Sequence, residues 1–158
     1  MKIGVLVVSL TIALTASAQT KEDLIGTWKV VSAWTTRPGG ERVLDLGQRP
    51  ISFITYTRDG RMSVVLADGD RKALSGDRLS APAAERAEAF SNCIAYAGRF
   101  TIQGDRIVHH VEVASIPNWV NTDQIRHVKL RGDRLTLATP SVLGGEQRLV
   151  EIEWERLK

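Results

Sequence analysis

The stretch 148–157, "RLVEIEWERL", decides the fold. Val150, Ile152 and Trp154 fall on one parity, and Glu151, Glu153 and Glu155 fall on the other. Successive side chains of a strand point to opposite faces, so this reads as a strand with one side in a core and one in water. The glutamate row is a solvated face. It also excludes a lipid-facing exterior, because an outer-membrane barrel needs apolar residues pointing outward.

The same period of two runs through the chain. In "LIGTWKVVSAWTT" (24–36), Leu24, Trp28, Val30 and Trp34 share one face, with Lys29 and Thr35 on the opposite one. Between alternating runs stand "RDGR" (58–61), "GDR" (104–106), "GDR" (132–134) and "GGEQ" (144–147). Glycine supplies the positive φ and aspartate accepts a local backbone hydrogen bond, so these are hairpin turns. Strands are expected near 24–36, 50–58, 61–67, 95–103, 106–114, 123–131, 133–139 and 147–157. "SAPAAERAEAFSNC" (80–93) breaks the pattern. Its helical apolar spacing, Pro82 and early Glu85 predict a short helix near 82–93, after a polar, exposed loop. Eight amphipathic strands and one helix can bury their apolar faces only against each other. The expected fold is all-β: a closed antiparallel meander barrel of about eight strands with one short helix inserted mid-chain. A two-layer sandwich is the alternative.

The N-terminus "MKIGVLVVSLTIALTASAQ" has a charge at Lys2, an apolar run from Ile3 to Leu14, and Ala16-Ser17-Ala18 as a small-x-small site. The run is shorter than the roughly 20 residues that span a bilayer. Residues 1–18 are therefore expected to be a signal peptide cleaved after Ala18, leaving a periplasmic or secreted domain, 19–158, with no membrane insertion after cleavage. The single cysteine, Cys93, excludes a disulfide framework within one chain. Lys and Arg number 21 against 18 Asp and Glu, and the signs alternate without a basic run. Nucleic acid is therefore not an expected partner.

At the first strand, "GTW" (26–28) resembles the Gly-x-Trp motif of lipocalins. The ordered series "LIGTWKVVS", "YTRDGRMSVVL", "AYAGRF" and "HHVEVASIPNW" is similar to the bacterial and fungal lipocalin-like domain family, over roughly residues 24–157. The resemblance implies a small barrel with an internal cavity, closed at its floor by Gly26 and Trp28 under an arginine from a late strand. Arg156 suits that part, with Arg148 in reserve. The helix lies mid-chain here and not after the last strand, so no known lipocalin ligand is carried over.

Candidate site residues follow from parity. His109 groups with Ile107, Val111 and Val113, and His110 with Val108, Glu112 and Ala114. Histidines on opposite faces cannot share a metal ion, His127 falls on an outward face, and no spaced ligand cluster exists, so no metal or other cofactor is expected. His110 and Glu112, two apart on one face, could hydrogen-bond as a general base and its orienting carboxylate. The competing reading is a surface ion pair. In "DQIRHVKL" (123–130), Gln124 and Arg126 share the inward parity of Val128 and Leu130, a polar anchor over an apolar cavity. The candidate ligand-binding set is Arg126, Gln124, Tyr96, Phe100, Trp119 and His109. Gly98, between Tyr96 and Phe100, would leave room in the wall or permit a bend.

Three functions stay open. The first is a carrier or sensor, monomer or weak dimer, for a small hydrophobic or amphipathic molecule. The second is a cavity enzyme of isomerase, cyclase or dehydratase type using His110 and Glu112. The third is a partner-binding domain with a filled core. Phosphate-binding glycine loops and a Gly-x-Ser-x-Gly elbow are missing from the sequence.

Overall fold

A computed structural model describes residues 19–158. The expected signal segment and its cleavage after Ala18 lie outside the described residues. The chain opens with a short helix, α1 (Lys21–Leu24), in place of the strand start expected at Leu24. Thr20 caps it: its hydroxyl accepts from the Asp23 backbone N–H, and the Asp23 carboxylate accepts from the Thr20 N–H. This reciprocal pair satisfies two donors that a helix start leaves free.

The strands are β1 (Gly26–Thr36), β2 (Arg42–Leu44), β3 (Ile51–Tyr56), β4 (Arg61–Ala67), β5 (Cys93–Gln103), β6 (Arg106–Ala114), β7 (Asp123–Arg131), β8 (Arg134–Leu143) and β9 (Glu146–Arg156). They form one antiparallel meander in the order β2-β1-β3-β4-β5-β6-β7-β8-β9, and β9 returns to pair with β1. The sheet is therefore a closed eight-strand barrel with one extra strand, and the sandwich alternative falls away. The extra strand, β2, has no counterpart in the sequence reading. β3 occupies one edge of β1 at Gly26–Lys29, and β2 fills the same edge at Trp34–Thr36.

The floor is built where β1 and β9 meet. Arg156 lies over the Trp28 ring at 4.0 Å and donates to the carbonyls of Ile25 and Asp23, each at 2.6 Å. The Trp28 indole N–H donates to the Leu24 carbonyl at 2.9 Å, so α1 is tied beneath the barrel. A guanidinium on an aromatic face with its N–H groups on carbonyls is both packed and satisfied. Gly26 stands against the same arginine: a Cβ there would meet Arg156 Nη1 at 3.2 Å.

Two bulges correct the parity reading. The β1–β9 register shifts between Val30 and Ser32, which turns Val31 out. Ala33 and Thr35 then face inward, and Trp34 faces out beneath Arg42. The expected grouping of Trp34 with Trp28, and of Thr35 with Lys29, is thus reversed by one extra residue. The second shift lies between Ala97 and Gly98, which oppose Val113 and Val111 and leave Glu112 as the extra residue. Beyond it Val113 is exposed and Ala114 packs on the core, the opposite of the expected faces.

Helix α2 (Ala83–Ser91) stands where expected, at the end of the barrel where β4 finishes and β5 begins. None of its residues is buried, and Phe90 is 54% exposed, so its apolar spacing does not become a core face.

Gly98 carries the second bulge, because a Cβ there would lie 1.9 Å from the His110 carbonyl oxygen. Gly98→Ala is expected to destabilise the fold by about 1–3 kcal/mol through this backbone clash, read as a lower urea midpoint at unchanged slope.

Candidate functional site

The barrel interior is packed at the floor and open toward the other end. There it holds a cavity of about 150 Å³. Its walls are apolar: Ile54 and Val64 on one side, Leu137, Ile152 and Trp154 on the other. Polar groups come from Tyr96, Gln124 and Arg126, and at the rim from Asp45 and Ser141.

On the polar side the β6–β7 ladder gives way to the connection between the two strands. β6 and β7 pair only from Arg106↔His127 to His110↔Asp123. Above that level the β6 edge is covered by the β6–β7 connection, with Val111 N–H donating to the Thr122 carbonyl at 3.0 Å and Asn121 N–H to the Val111 carbonyl at 2.9 Å. Asn121 takes a φ of 61° to make this turn, a conformation asparagine tolerates. The 3-10 turn Pro117–Trp119 sets the Trp119 ring edge-on against Tyr96 at 5.6 Å. Trp119 thus lines the cavity at its rim.

Arg126 is half-buried. Its guanidinium donates to the Ile125 carbonyl at 3.0 Å, to Thr139 Oγ1 at 3.3 Å and, at the limit of 3.5 Å, to the Tyr96 hydroxyl. Among the described residues no carboxylate forms an ion pair with it. A guanidinium in a partly desolvated wall without a counter-charge is a ready donor for an oxygen.

Behind Tyr96 lies a buried polar chain. His109 is 0% exposed; its Nδ1 lies 2.9 Å from the Tyr96 hydroxyl and its Nε2 2.9 Å from the Tyr56 hydroxyl. Phe100 packs edge-on against Tyr56 at 4.8 Å. Burial, with the Arg126 and His110 charges adding to it, holds the His109 pKa well below the ordinary 6.5, so the ring is neutral. Burial likewise raises the pKa of both tyrosines, Tyr56 strongly.

The structure therefore brings Tyr96, Trp119, Gln124 and Arg126 together around one cavity and sets His109 and Phe100 behind its wall. The sequence reading missed Tyr56 as a member of this polar interior. Its signal was the alternation Ser52, Ile54, Tyr56, whose inward face is now clear.

The expected His110–Glu112 pair does not form. His110 Nδ1 lies 2.7 Å from Asp123 and its Nε2 3.0 Å from Thr101, while Glu112 binds Arg61 at 2.7 Å and Arg99 at 3.0 Å. All of these sit on the outer face. The bulge at Glu112 swings the carboxylate onto the arginines of β4 and β5, and His110 takes the carboxylate across its own pair with β7. His127 also lies outside, 3.5 Å from Asp105. Among the described residues no group of three His, Cys, Asp or Glu side chains converges as a metal site.

The family model of the lipocalin-like domain matches residues 25–157, which span the whole closed meander. The chain belongs to the lipocalin-like domain family. One relative is the 4'-hydroxy-3'-methoxypropiophenone carrier protein ppsC of Aspergillus oryzae, 37% identical over 89 residues, which are half of this chain and 80% of that protein.

The neutral His109 gives this lipocalin-like domain a pH dependence. The unfolded chain takes up a proton near pH 6.5 and the folded state does not, so stability is full above that value and falls as pH drops below it. Thermal unfolding between pH 7 and 5 should show a loss approaching 1.4 kcal/mol per pH unit. His109→Gln should flatten the slope over the same range.

Proposed function

We propose that this domain is a carrier for a small ring compound, taken up through the open end of the barrel. The cavity carries the reading. An apolar space of about 150 Å³ is the size that holds a single benzene-like ring. Apolar walls with a few convergent polar groups are the usual composition of a small-molecule site. Trp119 and Tyr96 offer the edges and faces of aromatic rings to such a guest, and Arg126 and Gln124 offer donors at its rim. The relative's name supports the same class, since a propiophenone is one ring bearing a short ketone chain. A ring seated below the rim leaves its substituents room to project past Trp119 toward Asp45 and Ser141.

Titration with 4'-hydroxy-3'-methoxypropiophenone, followed by tryptophan fluorescence and by calorimetry, tests this. The expected result is saturable one-to-one binding. Leu137→Trp, which fills the cavity, should abolish it without loss of the folded circular-dichroism signature. Mass spectrometry of a solvent extract of the purified protein should reveal a co-purified ring compound. Binding unaffected by Leu137→Trp, or no binding with an empty extract, would refute the carrier reading.

Export belongs to the same proposal. An apolar run ending in Ala16-Ser17-Ala18 supports cleavage, which would release the barrel from Gln19 onward. Expression of the full chain followed by cell fractionation and N-terminal sequencing should find Gln19 as the first residue outside the cytoplasm. A protein that keeps Met1 and stays in the cytoplasm would refute export.

A further inference from the structure

A neutral imidazole donates from one nitrogen and accepts at the other, so the chain Tyr56–His109–Tyr96 has two possible directions. The surroundings choose between them. The Tyr56 hydroxyl belongs to a residue 1% exposed, and its one hydrogen-bond partner among the described residues is His109 Nε2. If Nε2 carried the proton, Tyr56 would accept from it and bury its own hydroxyl hydrogen without a partner. Leaving a buried donor unpaired costs roughly a factor of five to a hundred in population. If Tyr56 donates to Nε2 instead, nothing is orphaned at that end. The ring proton then sits on Nδ1 and is donated to the Tyr96 oxygen at 2.9 Å.

The Tyr96 oxygen has two lone pairs. One accepts from His109 Nδ1 and the other faces Arg126 Nη2 at 3.5 Å. Its own hydrogen has no acceptor among the described residues and turns to the cavity that Tyr96 lines. A separate observation points the same way. Trp154 is 1% exposed and lines this cavity, and its indole N–H is buried with no hydrogen-bond partner among the described residues. Arg126 contributes a third set of donors. The cavity wall thus holds more donor hydrogens than the protein's own acceptors take up, although Arg126 spends part of its set on Ile125, Thr139 and Tyr96.

We infer that Tyr56 and His109 are positioning residues that fix a one-way hydrogen-bond relay aiming the Tyr96 hydroxyl into the cavity, so that the site selects ring compounds carrying an acceptor oxygen, the aryl carbonyls above all. The selectivity rests on the carrier reading of this cavity; the direction of the relay does not. Neither positioning residue touches the ligand. Their effect passes through the tautomer of one buried ring.

The test pairs a spectroscopic readout with two probes of one shape. Long-range 1H–15N correlation of the wild-type histidine rings is expected to show His109 protonated at Nδ1 and bare at Nε2, free and with acetophenone bound. A His109 protonated at Nε2 would overturn the relay. Acetophenone is expected to bind about tenfold more tightly than ethylbenzene, which has the same ring and chain length but no oxygen. Tyr96→Phe should erase that preference. Tyr56→Phe, remote from the ligand, should reduce it and give mixed His109 tautomers while ethylbenzene affinity stays unchanged. Equal binding of both probes to wild type would defeat the selectivity and leave the carrier reading intact. If neither probe bound, the carrier reading and the selectivity would both fail, and the tautomer would still decide the relay's direction. A Tyr56→Phe protein with undiminished preference would overturn the positioning role.

Discussion

Hydrogen bonds between the first and last long strands turn this sheet into a container. β1 and β9 pair from Trp28↔Arg156 to Thr36↔Leu149, nearly their whole length. Without that seam each would be a free edge, and the apolar faces of the meander would have nothing to close upon. With it, Trp28, Leu135 and Trp154 share one interior and are almost completely buried. The seam also brings Arg156 above Trp28, because those two residues are register partners. The floor is a consequence of closure, and closure is reinforced by the floor.

The interior so formed is divided by chemistry. Toward the floor, Leu24, Trp28, Ile107 and Leu135 fill the space with side chains that make no demand for partners. On the β3–β5–β6 side, three hydrogen-bonding residues are buried in a chain that runs from Tyr56, the register partner of Gly26, through His109 to Tyr96 at the cavity. Burying such a network is tolerable only when every member is paired, since an unsatisfied polar group in low dielectric is expensive. His109 meets that condition through both nitrogens and by staying uncharged. Tyr96 meets it on the protein side alone. The outer face is solvated differently. The Arg61–Glu112–Arg99 cluster and the His110–Asp123 pair are partly exposed, and ion pairs of that kind contribute little to stability.

Much of the barrel was legible from alternation and turn chemistry. The row Val150, Ile152, Trp154 against three glutamates, and the Gly-Asp turns at 104–105 and 132–133, need only local rules, and the expected hairpins stand at those places. α1 carried a readable signal in Thr20 and Asp23, the two halves of a capping box. β2 is three residues long, too short for any period to register. The bulge at Val31 left no local mark, and the one at Glu112 showed only as Gly98 on the partner strand, because a bulge is defined across the pair and not by the residue inserted. That is why Trp34, Thr35, Val113 and Ala114 were assigned to the wrong faces. It is also why His110 and Glu112 looked like a pair. Trp119, Gln124 and Arg126 were placed at one end of the interior by parity and turn composition. The tyrosine–histidine chain was beyond reach, since it joins β3, β5 and β6 through side chains 53 and 13 residues apart.

The bulge and the cavity are linked. β6 follows β7 only as far as His110, and the extra residue, Glu112, comes two positions later. A bulge bends its strand and increases the local twist. Here the bent segment stays on β5, where Gly98 admits the His110 carbonyl, while Val111, just before the bulge, pairs with Thr122 and Asn121 of the connection that leads into β7. That stretch stands at the polar end of the cavity: Trp119 from the connection packs on Tyr96, and Gln124 and Arg126 follow on β7. The absence of a side chain at Gly98 is therefore a requirement of the fold at the point where the wall of the site is built: the His110 carbonyl can close on β5 only because no Cβ stands there.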